Sequence, residues 1–257
     1  MHDFINVAIL ACIQGLTEFL PVSSSGHLVI AQHLIGMREP GVSLEVWLHI
    51  GTLFSILLFY RQSIIDLIRG IFAADQASRK FALFIVVSTL PAILCYAILH
   101  KEIDTAFESA RTTGCFLLFT GVVLLCLRWV RIQDGVVTFG RAVVIGLAQA
   151  LAILPGVSRS GMTIVAARSS GVSAVRAAEF SFLMAIPLLL GAAVLDFFRA
   201  PACEEQISGW LLAFGALVSA LVGYVAIKML VCTLRAGYFW AFGIYCLFAG
   251  TLTLLLL

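Results

Sequence analysis

Two short runs set hydrogen-bonding and ionisable side chains into otherwise apolar sequence. The first, Gln14 to His27, reads QGLTEFLPVSSSGH and carries Gln14, Glu18, Ser23, Ser24, Ser25 and His27. Gln14 and Glu18 are four apart and share one helix face. His27 follows Ser24 by three, one turn along a second helix. A carboxylate, a hydroxyl and an imidazole converging on one turn can form an acid/base and nucleophile set. The second run, Pro155 to Thr163, reads PGVSRSGMT and places Arg159 between Ser158 and Ser160. An arginine in such surroundings needs an anionic partner, and its fork of donors suits phosphate or carboxylate. That partner is either a ligand or Glu18, in which case the pair would only hold two parts of the chain together. The Ser and Gly residues around Arg159 open a new helix, whose N-terminus favours an anion.

The rest of the chain says what must position these groups. Of 257 residues, 61% are hydrophobic and 12% charged, and the mean hydropathy is +1.08. Soluble domains carry about 25% charged residues. This chain lacks the polar surface to cover a globule, so its exterior is expected to face lipid, with backbone groups satisfied inside helices. In that setting intramembrane polar groups are costly and functional by default. The net charge of +2 is small and the basic residues are scattered, which argues against a nucleic-acid partner. The seven cysteines include no C-x-x-C pair. Most lie in apolar runs and read as small buried packing residues, with Cys203 alone in a loop. The N-terminus has no basic leader, and Gln14 and Glu18 interrupt its apolar run, so it reads as part of the fold rather than a signal peptide.

Apolar stretches near 43–60, 81–100, 112–130, 177–198, 208–231 and 237–257 are long enough to span a bilayer core of about 30 Å. Two further regions, 4–36 and 139–172, are broken in the middle by Pro, Ser and Gly. Neither half of either region has the length of a span. They read as re-entrant helical hairpins whose irregular backbone is buried in protein or lines a polar cavity.

The two broken regions align without a gap: QGLTEFLPVSSSGH against QALAILPGVSRSGM, Gln149 to Met162. Shared apolar composition explains the Leu and Val matches, but not Gln plus V-S-x-S-G at one offset. Three spans follow each region, and an odd number of crossings turns the second copy upside down. The expected fold is therefore an all-α integral membrane protein with an inverted repeat, six transmembrane helices plus two re-entrant helical hairpins. The first repeat is 1–131 and the second 139–257, with sites near the midplane where they meet. If the loop at 61–80 is cytoplasmic, the basic residues left outside are Arg38, Lys101, Arg111 and Arg199, with Arg159 inside a broken region. The outer loops collect acids instead, among them Asp3, Glu39, Glu102, Asp104, Glu108, Glu204 and Glu205. This bias places both termini on the outer face. Gly-rich stretches such as Gly215 to Gly223 fit packing within the chain or a homodimer.

Together the two motifs, Q-x-x-x-E-F-L-P-V-S-S-S-G-H and P-G-V-S-R-S-G-x-T, resemble those of the bacterial undecaprenyl-diphosphate phosphatase family, also called the bacitracin-resistance protein family. Length, span count and motif placement agree over essentially the whole chain. The resemblance implies a hydrolase of the bacterial inner membrane that removes the terminal phosphate of undecaprenyl diphosphate. That reaction recycles the lipid carrier of peptidoglycan synthesis and confers bacitracin resistance. The resemblance also assigns positions: the acidic-or-Gln residue to Gln14, the second Glu to Glu18, the family's Ser and His to Ser24 and His27, and its phosphate-binding Arg and neighbouring Ser to Arg159 and Ser158. Gln14 stands where some members carry a carboxylate, which weakens a two-carboxylate Mg²⁺ site; Glu18 is the remaining metal candidate.

On this reading Arg159, with Ser158, Ser160 and Thr163, grips the phosphates, and Gln14, Ser23 and Ser25 complete the binding surface. Ser24 or His27 attacks the terminal phosphorus or positions a water to do so. Glu18 orients His27 or holds a divalent cation such as Mg²⁺. The alternative is a polyprenyl-phosphate carrier that uses the same inverted-repeat site to move lipid between leaflets. Glu45 and Glu179 open the first span of each repeat and read as site or gate residues, or else as interfacial carboxylates near a helix N-terminus. His2, His33, His49 and His100 have no ligand-like spacing and read as interfacial or packing residues.

Overall fold

A computed structural model describes residues 2–35, 41–107, 109–131, 133–199 and 207–256. Arg38, Glu39, Glu108, Cys203, Glu204 and Glu205 lie outside them. The described residues form helices, with a single β-bridge between Gly135 and Val172. In chain order the helices are α1 His2–Phe19, α2 Ser24–Ile35, α3 Gly41–Phe59, α4 Arg61–Phe72, α5 Gln76–Phe107 and α6 Ala110–Cys126. They continue with α7 Phe139–Leu151, α8 Arg159–Ser169, α9 Ala174–Arg199, α10 Gly209–Arg235 and α11 Phe242–Leu256. Short 3-10 turns at Leu127–Trp129 and Phe239–Ala241 extend α6 and introduce α11.

Five helical segments are long and apolar enough to cross a membrane: Gln76–Phe107, Ala110–Trp129, Ala174–Val194, Gly209–Arg235 and Phe239–Leu256. The expected span at 43–60 is α3, which breaks at Tyr60 and bends by 73° into α4. The chain is a multi-pass membrane protein by this count. Its polarity agrees: Phe119, Leu217 and Phe248 face outward, while Gln14, Thr52, Ser88, Thr120 and Gln149 are buried. The cysteines correct the sequence reading. Cys246 is buried, but Cys12, Cys115, Cys126 and Cys232 are exposed on the apolar exterior. In a membrane protein an apolar run has a lipid-facing side as well as a core side, so run membership does not imply burial.

Both broken regions break where Pro, Ser and Gly interrupt the pattern. α1 ends at Phe19 and α2 begins at Ser24; α7 ends at Leu151 and α8 begins at Arg159. Within each pair the two helices pack together. The two restarts share a device. Ser158 Oγ accepts from Gly161 N at 3.1 Å, and Ser23 Oγ accepts from Gly26 N at 3.3 Å. Each serine thus caps a helix whose first amides lack intrahelical partners.

Small residues let the helices close around these breaks. On α10, Gly215, Ser219 and Gly223 share one face. Gly215 packs against Val7 and Leu48, and Gly223 against Phe19 and Ser55. Ser219 Oγ donates to Leu48 O at 3.0 Å, and Ser55 Oγ donates to Ala220 O at 2.7 Å. This glycine stretch therefore packs within the chain, on α1 and α3. α6 and α11 meet through Gly114 against Gly250 and Gly121 against Gly243, each glycine facing the carbonyl of the other.

α4 buries no residue among those described. Ile65, Ile68 and Phe72 are exposed along one face that begins at Arg61, and Asp66 and Arg69 are turned away from it. An amphipathic helix turned sharply away from an apolar one suits the headgroup boundary of a bilayer.

Candidate active site

The two turns touch. A Cβ at Gly26 would lie 3.2 Å from Gly156 Cα, and one at Gly161 would lie 3.3 Å from Pro21 Cβ. Ser23 Oγ also accepts from Gly156 N at 3.1 Å, tying the first turn to the second. Thr120 braces the far side: its Oγ1 donates to Gly156 O at 2.8 Å and accepts from Ser158 N at 3.2 Å. The backbone is unusual on both sides of the junction. Ser23 has φ 67° and Gly156 has φ 91°. A non-glycine residue held at positive φ costs about 1–3 kcal/mol and persists only where its surroundings dictate it. Gly156→Ala combines that strain with a Cβ 2.3 Å from Thr113 O. It is expected to destabilise the protein by about 2 kcal/mol or more and to displace the turn. Gly140→Ala, where a Cβ meets nothing within 4 Å, is expected to leave thermal unfolding in detergent unchanged.

Glu18 sits at the centre of the junction. One carboxylate oxygen forms an ion pair with Arg159 Nη2. The other accepts from Ser24 Oγ at 2.6 Å and from Gln14 Nε2 at 3.1 Å. The Glu18 and Arg159 side chains are 6% and 12% exposed, so the pair is shielded from solvent. Arg159 thus meets Glu18 across the halves, the partner that its position left open. The second guanidinium nitrogen, Arg159 Nη1, is buried and has no hydrogen-bond partner among the described residues, and the same holds for Gln14 Oε1 and Gln149 Oε1. An unmatched buried donor and two unmatched acceptors are costly in a core. Arg159 and Gln149 line a cavity where a ligand can meet their unmatched groups, whereas Gln14 does not line it.

Ser24 and Arg159 occupy the same position in the two turns: each is the first residue of its helix. Two helix N-termini therefore converge where Ser24, Glu18 and Arg159 meet, and both favour an anion there. A cavity of about 890 Å³ opens from this point, lined by Glu18, Ser23, Ser24, Ser25, Ser158 and Arg159. It runs along the later turns of α5, past Tyr96 and His100 to Asp104 and Phe107, with Glu45 and His49 of α3 and the apolar Pro187–Leu189 of α9 on its walls.

Other residues singled out by sequence stand elsewhere. His27 does not line this cavity. Its Nδ1 lies 2.8 Å from Ser23 O and its Nε2 lies 2.7 Å from Tyr245 Oη, with the two rings stacked. Thr163 Oγ1 bonds to Arg159 O and to Ser181 Oγ, at 2.8 and 2.6 Å, and faces α9. Ser160 Oγ donates to Leu20 O at 3.3 Å and knits the turns together. Glu45 lines the cavity with its carboxylate held by Gln32 Nε2 at 2.9 Å. Glu179 lies instead beside Tyr60. His49, read from sequence as packing, lines the cavity within electrostatic reach of Glu18. The signal for it was its spacing of four from Glu45, which puts both on one face of α3.

No group of three or more His, Cys, Asp or Glu side chains suited to a metal occurs among the described residues. The oxygens nearest the junction that could face a divalent cation are those of Glu18, already shared with Arg159 and Ser24, and behind them Gln14 Oε1, which is unpartnered but does not line the cavity. That set fits an ion only if phosphate oxygens complete its shell.

Residues 7–252 match the family described as "Bacitracin resistance protein BacA". An undecaprenyl-diphosphatase of Desulfatibacillum aliphaticivorans is 40% identical over 274 aligned positions, covering 99% of this chain and 98% of that protein. An undecaprenyl-diphosphatase of Desulfosudis oleivorans is 41% identical, covering 97% of each. One of Salinibacter ruber is 37% identical, again covering 97% of each. A family match over residues 7–252, with near-complete coverage of relatives at these identities, places the chain in the bacitracin resistance protein BacA family.

Proposed function

We propose that the chain is an undecaprenyl-diphosphate phosphatase, and that Ser24 is its nucleophile. The observation that carries the assignment is the carboxylate of Glu18, which accepts from Ser24 Oγ at 2.6 Å while pairing with Arg159. A hydroxyl bound this closely to a buried carboxylate has its base in place. The diphosphate enters as an anion toward two helix N-termini and Arg159. Arg159 turns from Glu18 to the phosphate oxygens, with Nη1 already free, and Glu18 is released to take the Ser24 proton. Ser24 Oγ attacks the terminal phosphorus; the bond to the bridging oxygen breaks, and undecaprenyl phosphate leaves. Phosphoryl transfer depends chiefly on positioning and on charge stabilisation, and this arrangement supplies both. Ser158 and Ser23 hold the two turns that aim these groups. His27, between Ser23 O and Tyr245, positions the first turn rather than attacking.

The carrier reading is not favoured: the relatives that match along almost the whole chain are named for diphosphate cleavage, and Glu18, Ser24 and Arg159, the groups proposed for that cleavage, meet at one point.

The inverted repeat is the reading that best accounts for the packing. α1 meets α10 through Gly15 against Ser219 O, and α7 meets α5 through Gly146 against Ser88 O. Gly26 against Gly156 and Gly161 against Pro21, and the crossed glycines of α6 and α11, are likewise pairs that a two-fold axis would exchange. On this plan α1–α2 and α7–α8 are re-entrant hairpins meeting at the midplane. The charge bias puts both termini on the outer face of the bacterial inner membrane. The cavity reaches Asp104 and Phe107, at the end of α5 that the same bias places outside. It is thus open to substrate in the outer leaflet.

A divalent cation such as Mg²⁺ would be held by Glu18 together with the diphosphate, with Gln14 Oε1 behind, and would neutralise phosphate charge. The deciding experiment is phosphate release from undecaprenyl diphosphate by the purified protein in detergent, with and without chelator. Release that depends on Ser24 and Arg159 is expected. Loss of release in chelator, restored by Mg²⁺, would support the ion; undiminished release would remove it. An absence of release under all conditions would overturn the assignment.

A further inference from the structure

The proposed first step leaves Glu18 carrying the Ser24 proton. The intermediate, a phosphoserine, must then be hydrolysed by water, and its leaving group is Ser24 Oγ. Glu18 is the group placed to return that proton, because it is the hydrogen-bond partner of Ser24. It acts as the acid in this step, so the attacking water needs a different base.

The cavity walls narrow the choice. Arg159 has no lone pair to offer. The Glu45 carboxylate is engaged by Gln32 Nε2. His100 and Asp104 lie further along α5 from the junction, beyond Tyr96. His27 is outside the cavity, and both of its nitrogens are engaged. His49 remains. Its Nδ1 lies 2.8 Å from Glu45 O, and a carbonyl oxygen only accepts, so Nδ1 carries the hydrogen. In the neutral ring Nε2 then holds the lone pair. Nε2 makes no hydrogen bond among the described residues, and the side chain lines the cavity near Glu18. Backbone and tautomer together present a base to the space that the water must cross.

We infer that His49 is the catalytic base of the second half-reaction, taking the proton of the water that hydrolyses the phosphoserine on Ser24. This rests on the nucleophile assignment above. The water oxygen bonds to phosphorus as the bond to Ser24 Oγ breaks. One water proton goes to His49 Nε2, and the proton on Glu18 returns to Ser24 Oγ. Inorganic phosphate leaves through the cavity, and His49 releases its proton to the water that refills it.

The test uses the full chain in detergent, with substrate labelled at the terminal phosphate and acid quenching. His49→Gln and His49→Ala are expected to release phosphate about 100-fold more slowly. They should still form the first lipid product in a burst of about one equivalent, and should accumulate label on Ser24. Added imidazole should speed phosphate release by His49→Ala, which a packing role would not predict. Turnover within about twofold of the unaltered protein would overturn the inference. So would a loss of turnover with neither burst nor trapped label in variants whose thermal unfolding is unchanged. If instead Ser24→Ala keeps its activity and no protein-bound label forms in any variant, the nucleophile assignment falls and takes this step with it.

Discussion

Arg159→Ala is expected to lower phosphate release by at least about 10³-fold. Removing a single well-placed donor from a site of developing charge costs about 10²–10³, and this change removes a cation with two. It also has a structural effect. The carboxylate of Glu18, 6% exposed, would be left without its ionic partner, and breaking a buried pair from one side costs about 3–5 kcal/mol. The two effects separate in a second variant. Adding Glu18→Gln removes the stranded charge, so the double variant should regain much of the lost thermal stability while remaining inactive. Arg159→Lys keeps the charge but loses the planar fork, and should fall between the extremes in phosphate release. Near-normal turnover of Arg159→Ala would sink its role at the phosphate. A double variant no more stable than Arg159→Ala would sink the account of the pair.

Ser24→Ala should be at least as damaging, by about 10³-fold or more, because it removes the atom proposed to attack. It keeps the fold, since Ser24 contributes only a hydroxyl to Glu18, and Glu18 keeps Arg159 and Gln14. Unaltered protein quenched during turnover should carry acid-stable phosphate, as a phosphoserine does, and peptide mapping should place it on Ser24. An acid-labile label on His27 would exchange the roles of the two residues. Tyr245→Phe loses only the hydroxyl bonded to His27 and should reduce turnover far less than Ser24→Ala.

The sequence was most informative where a signal is local. Pro, Ser and Gly clustered within a few residues break a helix, as at Pro21–Gly26 and Pro155–Gly161, whereas the single Pro91 and Pro187 lie inside α5 and α9; both breaks fall where the clusters place them. The spacing of four between Gln14 and Glu18 became a hydrogen bond of 3.1 Å. The two readings open for Arg159, ligand or Glu18, turn out to describe one residue with one nitrogen on the carboxylate and another unmatched. What escaped the sequence depends on which neighbour a side chain meets. His27 sits on the expected turn but faces Tyr245, 218 residues away in the chain. No local spacing encodes that contact. Thr163 shares a helix with Arg159 but faces α9. His49 looked like one more residue on an apolar span, and only the position of α5 across from it makes a cavity on that side. The bend at Tyr60 escaped for a similar reason: Phe59, Tyr60, Phe182 and Tyr224 pack their rings together there.

The contact between the two turns has a consequence for ancestry and for engineering. Aligned position by position, the first turn has Glu18 and Ser24 where the second has Ile153 and Arg159. On the proposed inverted-repeat plan each copy carries a group that the other lacks, so neither half is expected to be an enzyme alone. The link between them is short, from Val130 to Thr138, before α7 begins. Cutting the chain there and producing the halves as separate polypeptides in one membrane should restore activity only when both are present. That would make a single-chain hydrolase behave as the heterodimer that a duplicated gene for an antiparallel pair could once have encoded.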